Sequence, residues 1–77
     1  MNPQFQETMQ DSIQRTAFDM SRKYGRKLAM IECQINANEY YQKIVNLPNY
    51  DPEKIDAWDK QRHFWLSVKL SVYYMGA

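Results

Sequence analysis

The sequence predicts a small all-α protein: a helical hairpin of one long helix, about 3–46, and one shorter apolar helix, about 52–75. Three observations carry that prediction. The 77 residues include only two glycines and three prolines, too few for a turn-rich β fold. The prolines cluster at the start and in one connector, Leu47-Pro48-Asn49-Tyr50-Asp51-Pro52. Apolar residues recur at helical spacing on both sides of that connector.

Asn2-Pro3 reads as a helix start, with Asn as N-cap and Pro at the first helical position, where its missing N–H costs nothing. The first helix then carries Met9, Ile13, Ala17, Met20, Tyr24, Leu28, Ile31 and Ile35 in steps of three or four residues, one face of a helix. Arg15, Asp19, Arg22, Lys23 and Arg26 fall opposite, as a solvated face. Beyond Met30 the pattern changes sides, and Met30, Cys33, Ala37, Tyr40, Tyr41 and Ile44 form a second stripe. Gly25 lies within the first stripe, where it costs about 1 kcal/mol against Ala. It is a candidate for a kink, a close helix crossing or a break, but because the stripe runs through it in phase, a continuous helix is the favoured expectation.

Asp51-Pro52-Glu53 repeats the start signal, with acidic groups at the positive end of the helix dipole. The second helix is apolar over most of its circumference, with Ile55, Trp58, Trp65, Leu66, Val68, Leu70, Val72 and Tyr73 facing a narrow polar row of Asp56, Lys60, His63, Ser67 and Ser71. Residues 64–74 also alternate with period two, so a β-strand pairing between chains is the alternative. The acidic cap and Trp58 favour the helix. Gly76-Ala77 suits a C-cap.

At 1.5 Å per residue the long helix measures about 66 Å and the short one about 36 Å. Folded back, the second helix covers only the later half of the first. The stripe from Met9 to Ile35 is then expected to meet another chain, most simply a second copy in a dimeric helical bundle. Size points the same way. One domain of 1–77 is expected, and a core this small seldom supplies more than about 3–5 kcal/mol. A lone cysteine, Cys33, forms no internal disulfide.

Several functions are excluded or disfavoured. A net charge of +1 gives no global field for nucleic acid or membrane. No Gly-rich loop cradles a phosphate, no Gly-x-Ser-x-Gly elbow presents a nucleophile, and the single histidine, His63, lacks metal-ligand spacing to partners. Catalytic residues, cofactor and metal are therefore all expected to be none, and no small-molecule ligand is expected. No apolar run is long enough to span a bilayer, and no apolar leader opens the chain, so a cytoplasmic location is expected.

What remains is a non-enzymatic protein–protein interaction protein: an adaptor, an inhibitor of a larger enzyme, or a small subunit, of the kind viruses and mobile elements often encode. Its interface residues are Met9, Ile13, Ala17, Met20, Tyr24, Leu28, Ile31 and Ile35, with Trp58, Trp65 and Tyr73 as an aromatic anchor. The alternative is a nucleic-acid-binding accessory protein that holds phosphates with Arg15, Arg22, Lys23, Arg26 and Lys27.

Overall fold

The computed structural model describes residues 8–75 and is helical almost throughout. Its elements are α1 (Met9–Tyr24), α2 (Arg26–Val45) and α3 (Pro52–Met75). The expected start at Asn2-Pro3 and the expected cap at Gly76-Ala77 lie outside the described residues.

Thr8 caps α1 with a reciprocal pair of bonds. Its hydroxyl accepts from the Asp11 backbone N–H at 3.1 Å, and its own N–H donates to the Asp11 carboxylate at 3.3 Å. The helix ends where the N–H of Gly25 donates to the Ser21 carbonyl at 2.9 Å. The carbonyl of Gly25 then accepts from Ala29 at 2.9 Å, the first bond of α2. A single residue thus closes one helix and opens the next.

The long continuous helix expected over 3–46 is therefore corrected to two helices broken at Gly25. The glycine adopts φ 81° and ψ 162°, a region that L-residues with a side chain rarely adopt. What the break achieves is burial. α1 folds back on the other two helices, and Ile13 and Ala17 join Ala29, Cys33, Val68 and Val72 in one core. Met20, Met30, Phe64 and Trp65 pack around it. A straight helix would leave Ile13, Ala17 and Met20 in water.

Asp51 caps α3, its carboxylate accepting from the Lys54 N–H at 3.2 Å. The helix runs antiparallel to α2. Arg26 lies over the Tyr73 ring, Lys69 meets Gln34, and Lys43 lies 5.9 Å from the centre of the Trp58 ring, so numbers rise along one helix as they fall along the other. The strand alternative for 64–74 is also corrected. Val68 and Val72, one helical turn apart, are wholly buried, whereas Leu70, which a strand would place on their face, is 56% exposed. Period two here is a coincidence of composition on a helical backbone.

Candidate interaction surface

Each of the three helices contributes to the core, and α2 does so with small side chains. Ala29, Cys33 and Ala37 are the residues it buries, all small, and they allow α1 and α3 to approach closely. Three larger aliphatics of α2 point the other way: Leu28 is 55% exposed, Ile31 46% and Ile35 44%. Steps of three and four place them in one row along the outside of the helix.

Beside this row runs an open groove of about 400 Å³, lined by Lys27, Met30, Ile31, Gln34, Ile35 and Lys69. Its polar edge is organised. The Lys69 ammonium donates to the Gln34 side-chain carbonyl at 2.8 Å, and the Gln34 amide donates to the Asn38 side-chain carbonyl at 2.9 Å. The lysine is thereby held along the α2 face instead of ranging through solvent.

The eight residues expected at an interface divide between core and surface. Ile13 and Ala17 are buried in the core, Met20 packs against it, and Cys33 Sγ lies 3.7 Å from Met20 Sδ. These three are structural, which corrects the reading that their stripe lacks a partner within the chain: α1 turns it inward. Met9, Tyr24, Leu28, Ile31 and Ile35 stay exposed, with Met9 at the far end of α1. The surface row is therefore Leu28, Ile31 and Ile35.

The aromatic anchor also divides. Trp65 is half-buried against the core and meets Phe64 edge-to-face at 5.3 Å. Trp58 is half-buried near the connector end of α3. Tyr73 is exposed, with Arg26 5.0 Å from its ring centre and Tyr74 against its edge at 5.2 Å.

The basic cluster sits at the α1–α2 corner and is split by Gly25, with Arg22 and Lys23 in the last turn of α1 and Arg26 and Lys27 opening α2. Three of its cations cover rings: Arg22 over Phe18 at 5.6 Å, Lys23 over Tyr24 at 5.2 Å and Arg26 over Tyr73 at 5.0 Å. Arg15 is exposed on α1, nearly three turns before the corner.

Burial pushes the Cys33 thiol up to about 11, with Lys69 opposing and Glu32 adding to the rise. Such a thiol is inert near neutral pH. His63 is exposed, its imidazole 3.6 Å from the Asp59 carboxylate. Among the described residues no cluster of three or more His, Cys, Asp or Glu side chains is placed to hold a metal ion. Nor is any helix among them long and apolar enough to cross a membrane.

Sequence reasoning missed how the row on α2 continues. Asn38, Gln42 and Val45 extend it, and all three are exposed. The signal was available in the steps from Leu28 to Val45, which run 3, 4, 3, 4, 3. A scan against family models finds no match, and searches of curated proteins and of solved structures return no significant one.

Proposed function

We propose that this chain is a non-enzymatic protein-interaction module whose working surface is the outer face of α2. One observation carries the reading: Leu28, Ile31 and Ile35 stand 44–55% exposed in a single row on a helix whose other side is locked into the core. Large aliphatics aligned on a rigid element present a groove-and-ridge surface at little ordering cost when a partner binds. Isolated exposed apolar residues need no explanation, but an aligned row beside a 400 Å³ groove does.

The test is site-directed photo-cross-linking in the cell that makes the protein. A benzophenone amino acid at Ile31 is expected to give a discrete cross-linked protein species. The same group at Lys54, exposed on the opposite element, serves as the control. Identical patterns from the two positions would remove the basis for assigning this face.

A further inference from the structure

The partner and its orientation follow from what borders the row. Leu28, Ile31, Ile35, Asn38, Gln42 and Val45 recur in alternating steps of three and four residues, the a/d pattern of a heptad seam in a coiled coil. Glu32 and Glu39 lie along one flank. Lys27 and Gln34 lie along the other, and Gln34 holds the ammonium of Lys69 at 2.8 Å. The seam therefore has an acidic edge and a basic edge. Among the described residues Lys27, Glu32 and Glu39 take part in no ion pair within the chain.

We propose that α2 pairs with α2 of a second copy of this chain, the two helices parallel and in register. The inference rests on the reading that this face binds protein, and it names the occupant. In a parallel pair about a two-fold axis, the basic edge of each helix meets the acidic edge of the other. Lys27 then faces Glu32 of the second copy, and Lys69 on Gln34 faces Glu39. An antiparallel pair does the reverse: it sets Glu32 and Glu39 against the same carboxylates and leaves the lysines together. Asn38 agrees with the parallel arrangement. Its carbonyl oxygen accepts from Gln34 at 2.9 Å and keeps a second lone pair, to which the amide N–H of the other Asn38 can donate across the axis. A polar residue at a seam position selects register in this way. The helix is already formed by its packing on α1 and α3, so pairing needs no helix nucleation.

The experiment is sedimentation equilibrium on the full chain with three variants, each checked for unchanged helicity. The unmutated protein is expected at twice the chain mass, and Ile31→Asp at the chain mass. Glu32→Lys places a lysine against Lys27 and weakens the dimer, by roughly tenfold over the two equivalent contacts. Adding Lys27→Glu restores it. If Ile31→Asp does not fold, Ile35→Gln with the same mass readout replaces it. A Glu32→Lys protein that dimerises more tightly shows an antiparallel pair and overturns the proposed orientation. A monomeric unmutated protein overturns self-pairing. Cross-links from Ile31 to a different protein would then leave the face assignment standing. A dimer indifferent to both aspartate and glutamine variants overturns the proposal and the face assignment together.

Discussion

Replacing Gly25 with alanine tests the break on which the whole arrangement depends. The glycine sits at φ 81° and ψ 162°, and nothing lies within 4 Å of where a Cβ would stand. The penalty is therefore conformational, with no steric clash in it. Holding an L-residue there costs about 1–3 kcal/mol, and the loss of glycine's freedom in the unfolded chain returns about 0.4–1 kcal/mol. The net is a destabilisation of about 1–2 kcal/mol. Alanine has one escape: residue 25 turns helical and α1 fuses with α2, a change it favours over glycine by about 1 kcal/mol. Fusion, however, strips Ile13 and Ala17 from the core and uncovers Ala29, Cys33, Val68 and Val72. Re-exposing one Ile-sized side chain costs about 1.5–3 kcal/mol, so the broken form persists at lower stability. Thermal unfolding followed by circular dichroism should show a midpoint lowered by about 4–15 °C for a chain of this size. A synthetic chain with D-alanine at 25, whose backbone favours positive φ, should melt above the L-alanine variant. Spin labels at Gln10 and Lys43 report the alternative, since a fused helix would hold them about 50 Å apart. An L-alanine variant that melts no lower than the natural chain, or that shows the long distance, refutes the argument.

Further outcomes are expected from the core and the buried thiol. Val68→Ala should lower stability by about 1–3 kcal/mol in a urea titration because Val68 is wholly buried. Leu70→Ala, at a position 56% exposed, should stay within about 0.5 kcal/mol; equal losses would contradict the helical assignment of 64–74. Cys33 should react slowly with a thiol reagent at neutral pH and rapidly in urea. Its folded pKa of about 11 lies above the ordinary value of 9.0. Its contribution to stability is thus complete below about 9 and is lost as pH rises from there through about 11. The difference in urea stability between the natural chain and Cys33→Ala should shrink across that window, and a constant difference would speak against it.

Helix content, the connector, the cap at Asp51 and the packing of α3 on the Met30–Ile44 half of α2 were legible in the sequence, because caps and periodicity are local signals. The break was not, and the reason is physical. A hydrophobic stripe records which side of each turn is apolar; it does not record the direction of the axis. Ile13, Ala17 and Met20 keep phase with Leu28, Ile31 and Ile35 whether the chain runs straight through Gly25 or folds back there. Only the positive φ separates the two cases, and φ is invisible in a sequence. The consequence for the site was a reversal. The residues expected to lack a partner, from Ile13 to Met20, form the inner face of α1, while Leu28 to Ile35 remain outside.

The size distribution along α2 is the strongest reason to regard that remainder as a surface in use. A helix serving only its own core would turn Leu28, Ile31 and Ile35 inward, since each contributes about 1.5–3 kcal/mol on full burial. Here the buried positions hold Ala29, Cys33 and Ala37, with Met30 half-buried beside them, while Leu28, Ile31 and Ile35 stand outward at about half exposure. Small residues inside still have a role, because they let α1 and α3 close on α2 and fix its axis. The helix thus gives its close-packing side to its own chain and its area-rich side to something else. Folding and association would then draw on different residues, so Ile31→Asp should disturb association while leaving the helical fold in place.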